Sequence, residues 1–309
     1  CSAKEDFMDA AFVSDQLNIP LDQVSFSNEY KENVFEYFLD ELEAGRTPNP
    51  DILCNKEIKF KEFYQYAMKN DFDYMATGHY ANTDHTYLYK GIDDSKDQSY
   101  FLHAIDKDVL SKCLFPLGKI KKEEVREIAK QNDLVTSEKK DSTGICFIGE
   151  RPFPEFVANY LKGDPGNILD ENGKIIGSHP GLVFFTLGQR QGLGIGGVKG
   201  ASDLPWYVAK KDLETNELIC VQGNDHPLLF SRKLKTKNVY LLDDQLPEEF
   251  SGTAKVRYRQ KDQDCKISIF DSELNIEFAE PQRSVTPGQS VVIYDGNKCL
   301  GGGEIECIN

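Results

Sequence analysis

Two cysteine-bearing segments hold most of the reactive chemistry this sequence can offer. In GRTPNPDILCNKEIKFKEF, Pro48 and Pro50 stiffen an extended approach, and Asp51 and Cys54 follow three residues apart. The helix is expected to begin just beyond them, at Asn55 or Lys56. A thiol at a helix N-terminus, with Lys56 and Lys59 close in sequence, gains thiolate character from the dipole and the cations. Asp51 is the candidate for handling a proton beside it. Cys146 sits in KKDSTGICFIGE after a turn-rich stretch, 92 residues beyond Cys54. Two such thiols can meet only through folding, and sulfur chemistry commonly uses one thiol to carry sulfur and another to release it. A single cysteine is by default a small buried hydrophobe, but that default does not account for the proline-flanked presentation of Cys54.

Other constellations are excluded. The eight cysteines include no CxxC pair, which argues against a structural zinc site, and no metal centre is expected. They are too sparse for a disulfide-stapled secreted scaffold, so a reducing, cytoplasmic setting is expected. Gly192, Gly194 and Gly197 match GxGxxG, but Gly and Pro break the sequence that follows, so the expectation is a backbone-exposing loop instead of a dinucleotide site. No GxxxxGK(S/T) phosphate loop is present.

The elements that must position these residues follow from composition and periodicity. The chain has 309 residues, 39% hydrophobic and 28% charged, enough for two or three domains. No apolar run approaches the roughly 20 residues of a spanning helix, so no membrane association is expected. Thirty-six Lys and Arg face 51 Asp and Glu, a net charge of −15, which argues against a protein that simply coats nucleic acid. The opening CSAKEDFMDAAFVSDQL reads as an amphipathic helix. Residues 31–44 place Val34, Phe35, Phe38, Leu39 and Leu42 on one helical face, and 56–68 do the same with Phe60, Phe63, Tyr64 and Ala67. DYMATGHY reads as a buried strand ending in a glycine, as at the carboxyl edge of an open α/β sheet, and 121–132 as a further helix. A proline-rich break at 151–154 precedes a short helix, after which KVRYRQ, CKISIF and SVVIYDG alternate with period two as half-buried strands of a small barrel or sandwich. From Pro227 onward 11 basic and 13 acidic residues give a net charge of only −2. Lys255, Arg257, Arg259 and Lys261 are expected to project from one strand face, either as a solvated surface or as a phosphate-contacting stripe.

Taken together, TPNPDILCNKEIKF, ATGHYA, SKDQSYFL, DSTGICFIGE, GLGIGG, KVRYRQ and TPGQSVVIYDG, in this order, resemble the tRNA-specific 2-thiouridylase family along the whole chain. The resemblance implies an α/β ATP-pyrophosphatase domain with a parallel sheet (1–152), a small central domain (153–226) and a C-terminal antiparallel β-barrel that contacts tRNA (227–309). It implies ATP-dependent adenylation of the wobble uridine C2 oxygen, with Mg2+ accompanying the ATP, and then sulfur transfer from a cysteine persulfide, giving 2-thiouridine, AMP and pyrophosphate. By motif, Cys54 resembles the nucleophile, Cys146 the persulfide carrier and Asp51 the acid/base; a transient Cys54–Cys146 disulfide is implied. Asn49, Pro50 and Asp51 match the segment that meets the target base, Gly78 an ATP contact, and His79, Lys96, Asp97, Gln98, Arg257, Tyr258 and Gln289 tRNA contacts. The implied partners are the tRNAs for Lys, Glu and Gln and a sulfur-donor or relay protein. The family's SGGxDS pyrophosphate loop has no counterpart in the 309 residues, so the sequence is expected to lack the first strand and that loop and, by itself, not to adenylate tRNA. A thiol oxidoreductase and a non-catalytic tRNA-binding fragment are the competing readings.

Overall fold

The structure, a computed structural model, describes residues 3–140, 152–198 and 200–308. Helix α1 spans Ala3–Leu17. A second helix, α2, is assembled from Ser27–Tyr30, Lys31–Phe35 and Glu36–Glu43, and a third, α3, from Pro50–Leu53, Cys54–Phe63 and Tyr64–Lys69, each with wider π-type turns in its middle portion. The expected face of α2 is buried at Val34, Phe38 and Leu42. Its first half packs Tyr30 and Val34 against Cys54 and Ile58 of α3, and its second half packs Phe38 and Leu42 against Phe156, Val157 and Leu161 around helix α5 (Phe153–Val157). Helix α4 (Lys122–Gln131) also falls where expected. The amphipathic α1 leaves its apolar stripe exposed, Phe12 at 56%, and is tethered by Lys139 to Asp6 and Asp9.

The parallel sheet is represented by one pair. Strand β1 (Met75–Ala76) runs parallel to β4 (Cys113–Leu114), so DYMATGHY contributes a two-residue strand, prolonged by the Thr77 N–H donating to the Leu114 carbonyl (3.0 Å). Beyond Gly78 the chain leaves that ladder and returns as a hairpin, β2 (Ala81–Thr83) and β3 (Leu88–Lys90). A four-stranded sheet follows, with β5 (Gly166–Leu169), β6 (Ile175–His179), β7 (Trp206–Asp212) and β8 (Glu217–Gln222) in the order β6-β5-β8-β7 over Ile168, Val208, Leu218 and Cys220. The Gly192–Gly197 stretch is loop, as expected.

Six antiparallel strands close the C-terminal barrel: β9 (Phe230–Leu241), β10 (Glu249–Lys255), β11 (Gln263–Phe270), β12 (Glu273–Arg283), β13 (Ser290–Asp295) and β14 (Lys298–Ile308), closure being the β13–β14 pairing. CKISIF alternates as expected, with Cys265 and Ile267 buried and Lys266 exposed. SVVIYDG does not: Ser290 to Tyr294 are all buried. Val291 and Ile293 belong to the barrel core, while Val292 and Tyr294 join Ile52, Phe60, Leu88 and Tyr100 in the core of the N-terminal unit. The two units also share a sheet, because β3 pairs with β14 through Leu88 and Cys299.

KVRYRQ is a second correction. Strand β10 stops at Lys255 and the chain turns, with Arg259 at a φ of 65° and the Val256 N–H donating to Gln260 Oε1 (2.8 Å). The four cations therefore do not form a stripe: Lys255 pairs with Asp97 and Asp262, Arg257 donates to the Ser284 carbonyl, and Arg259 lies over the Tyr258 ring. Beyond Lys255 the chain closes a turn, the Gln260 N–H donating to the Arg257 carbonyl (3.2 Å), so period two is lost there whatever the alternation of residue types.

Leu88 is fully buried where the hairpin joins the barrel. Leu88→Ala should cost about 2–5 kcal/mol. Urea unfolding followed by the helical signal and by barrel tyrosine fluorescence should show both transitions shifting together.

Candidate functional site

The segment that carries Asp51 and Cys54 is built by ordinary capping chemistry. Asn49 is extended (φ −111°, ψ 96°) and its side-chain oxygen accepts the Asp51 N–H at 3.2 Å. Pro50, whose fixed φ suits the first helical position and whose missing N–H costs nothing there, starts α3. The helix thus begins at Pro50, not at Asn55 or Lys56, and Cys54 lies inside it, beyond the first turn where the dipole acts most strongly. Cys54 is fully buried against Tyr30, Val34 and Ile58. Asp51, three residues earlier in the same helix, is half-buried, and on an α-helical turn such a spacing brings two side chains toward one side. On the barrel side of α3 a cavity of about 190 Å³ is lined by Asn49, Leu53, Lys56, Tyr240, Ser290 and Glu304.

Two loops hold the approach to this helix, the turn before β13 and the loop carrying Thr186. The Thr47 N–H donates to the Pro287 carbonyl (2.9 Å), Gln289 Nε2 donates to the carbonyls of Thr47 (2.7 Å) and Pro48 (3.3 Å), and the hydroxyls of Thr47 and Thr186 are 3.2 Å apart. Just upstream, Arg46 is forked onto Glu41, Tyr37 donates to Glu304 of β14, and Lys237 reaches both carboxylates. Burial opposes ionisation of Glu41, but the hydrogen bond from Arg46 and the charge of Lys237 hold it below the ordinary carboxylate range. Burial and the Glu41 charge push Glu304 above that range, and burial raises the Tyr37 hydroxyl. Sequence reasoning missed this network; its members are up to 267 residues apart, and none lies in a motif that announces a partner.

The remaining expected residues form a second group. Gly78 is exposed at the carboxyl end of β1, and a Cβ there would meet only Leu117, at 3.9 Å. That is open space at the edge where open α/β sheets bind ligands, and it fits the approach of a nucleotide. His79 is 9% exposed, packed beside Phe60 and Phe115, with Nδ1 2.9 Å from the Thr77 hydroxyl. Gln98 and Tyr80 exchange two hydrogen bonds, Tyr80 N–H to Gln98 Oε1 (3.0 Å) and Gln98 N–H to the Tyr80 carbonyl (2.8 Å), joining the His79 turn to the Lys96–Asp97–Gln98 loop. The Asp97 carboxylate is buried, accepting from the Gly91 and Ser99 N–H groups and the Ser99 hydroxyl. Tyr258 packs on Phe101 and points its hydroxyl at the Lys96 carbonyl (3.5 Å), and Arg257 sits on the Ser284 carbonyl.

Cys146, and with it the expected Cys54–Cys146 disulfide, lies outside the described residues. Burial pushes the thiols of Cys113, Cys220, Cys265 and Cys299 up to about 12, which removes them as nucleophiles near neutral pH. Among the described residues no three His, Cys, Asp or Glu side chains are grouped to hold a metal ion, and no helix is long and apolar enough to cross a membrane.

Three family descriptions match consecutive parts of the chain: a tRNA methyl transferase HUP domain at 1–150, a tRNA methyl transferase PRC-barrel domain at 154–222 and an aminomethyltransferase beta-barrel domain at 231–305. Curated relatives include the tRNA-specific 2-thiouridylases MnmA of Francisella tularensis subspecies holarctica, mediasiatica and novicida. Each is 55% identical over 99% of this chain and 87% of the relative.

Two of the three buried histidines, His79 and His103, set an acid limit. Burial lowers His79 to about 3 and His103, whose Nδ1 donates to the Tyr100 carbonyl, to about 4, against an ordinary 6.5. Both fold as neutral rings, so their contribution is complete above the unfolded value and is lost as pH falls from about 6.5 toward the folded values. Imidazole NMR shifts of both should stay constant between pH 8 and about 5 in the native protein and titrate near the ordinary value in urea, with the urea midpoint falling below pH 6.

Proposed function

Because the chain belongs to the tRNA-specific 2-thiouridylase family, we propose that it replaces the C2 oxygen of the wobble uridine of tRNA with sulfur, releasing AMP and pyrophosphate. What supports this reading is that Asp51 and Cys54 lie three residues apart in one helix whose approach is held by the barrel turn. ATP supplies the phosphoanhydride that makes the uridine C2 oxygen a leaving group, and Gly78, at the open edge of the parallel strands, is the described residue offered for its binding.

The protein's own residues have separate tasks. Asn49, Pro50 and Asp51 meet the target base, and Asp51 manages the proton at the uridine. Cys146 carries the outer sulfur as a persulfide. The Cys54 thiolate attacks the inner sulfur of Cys146, the sulfur–sulfur bond of the persulfide breaks, and a Cys54–Cys146 disulfide forms as hydrosulfide leaves. That hydrosulfide adds at C2 as the oxygen departs, and a thiol reductant restores both cysteines. Lys96, Arg257 and Tyr258 contact the tRNA, while His79, Asp97 and Gln98 shape the loop that presents Lys96. The resemblance extends the proposal to the tRNAs for Lys, Glu and Gln, to a sulfur-donor protein, and to a cytoplasmic site of action.

Thionucleoside analysis of tRNA modified by the full-length protein tests the chemistry. Cys54→Ser and Cys146→Ser should each lower 2-thiouridine at least about 100-fold, and Asp51→Asn should lower the single-turnover rate without a comparable loss of tRNA affinity. Unchanged 2-thiouridine in either cysteine variant would overturn the relay. Arg257→Ala should weaken tRNA binding and reduce the salt slope by about 1.

A further inference from the structure

The stretch Arg46-Thr47-Pro48-Asn49-Pro50 has a backbone problem that its own sequence creates. Pro48 and Pro50 have no N–H, so within it only Arg46, Thr47 and Asn49 can donate, and the segment cannot be held by a ladder of its own. Its carbonyls need donors from elsewhere. Gln289 supplies them: the two hydrogens of one Nε2 match two successive carbonyls, Thr47 (2.7 Å) and Pro48 (3.3 Å). Gln289 is itself held at both backbone groups, its N–H donating to Thr286 (3.1 Å) and its carbonyl accepting from Ile305 (2.8 Å). Beside it, Gly288 brings the backbones so close that a Cβ would lie 2.8 Å from Thr47 N, at a φ of 91° that L side chains rarely adopt.

We propose that Gln289 is a positioning residue, acting through the Thr47 and Pro48 carbonyls to set where Asn49 caps α3 and therefore where Asp51 and Cys54 stand. With both donors turned inward, the side chain has none left for a phosphate oxygen, and the tRNA contact implied by family resemblance falls to its Oε1 acceptor. The barrel then serves the reaction twice, by gripping RNA and by holding the catalytic segment in register. The tRNA-binding and kinetic arms of the test rest on the thiolation reading; the exchange arm does not.

The test uses the full-length protein with Gln289→Glu, which keeps the shape and removes both donors, and Gly288→Ala, which displaces the same carbonyls without removing a polar group. Amide hydrogen exchange at Asn49, Asp51, Ile52 and Leu53 should quicken about 10-fold in both, while amides of β7 and β8 stay unchanged. Filter binding of tRNA without ATP should change by less than about 2-fold, while kcat for thiolation falls about 10- to 100-fold. Exchange at those four amides equal to wild type in both variants would overturn the proposal, as would tRNA affinity falling about 10-fold with kcat preserved. Absence of thiolation by the wild-type protein would sink the functional reading and leave the exchange comparison to decide the role of Gln289.

Discussion

Strand β13 is apolar on both faces, and the organisation of the site depends on that burial. Val291 and Ile293 fill the barrel while Val292 and Tyr294 are buried with Ile52 and Phe60 of α3. Each such side chain contributes roughly 1.5–3 kcal/mol on burial, and here the contribution is available only when the N-terminal unit and the barrel are in contact. The turn that feeds this strand contains Gly288 and Gln289, so the interaction that fixes β13 also fixes the clamp on Thr47 and Pro48. The helix carrying Asp51 and Cys54 is therefore held at its N-terminus by the barrel turn and along its length by the strand that follows it.

Charge reinforces this contact without being its main source of stability. Arg46, Glu41, Lys237, Glu304 and Tyr37 meet where α2 faces the barrel, Glu41 held below the ordinary carboxylate range by Arg46 and Lys237 and Glu304 raised above it by burial and Glu41. Partly buried ion pairs stabilise little relative to an apolar contact of the same size, but they penalise misalignment because a displaced partner leaves a buried charge uncompensated. In this interface they set register at the residues just ahead of the catalytic segment.

Much of the scaffold was legible from residue order. The face of α2, the barrel strand CKISIF and the loop at Gly192–Gly197 all rest on local sequence pattern, whereas the expected face of α3 holds only in part: Phe60 and Ala67 are buried but Phe63 is exposed. Two readings failed where geometry stopped being local. KVRYRQ alternates in residue type, yet the chain turns beyond Lys255 and its cations go to separate partners. SVVIYDG was expected to have a wet face, and its second face is dry because another unit covers it. The start of α3 was misjudged by about a turn because Pro50 was weighed as a stiffener of extended chain, although Asn49 before it makes an N-cap and N1 pair.

Residue order alone determined that Asp51 and Cys54 stand three residues apart on one proline-led segment, while the structure decided that both lie inside the helix. Residue order also determined the capacity of Asn49 and Pro50 to begin that helix, because capping is satisfied within a few residues. Tertiary structure alone decided that Gln289 would hold the segment, that Lys255 would pair with Asp97, and that Val292 and Tyr294 would be core. The physical reason is that the donors, carboxylates and apolar faces involved are satisfied by groups up to about 240 residues away, and no local pattern specifies which of many equivalent partners folding will bring.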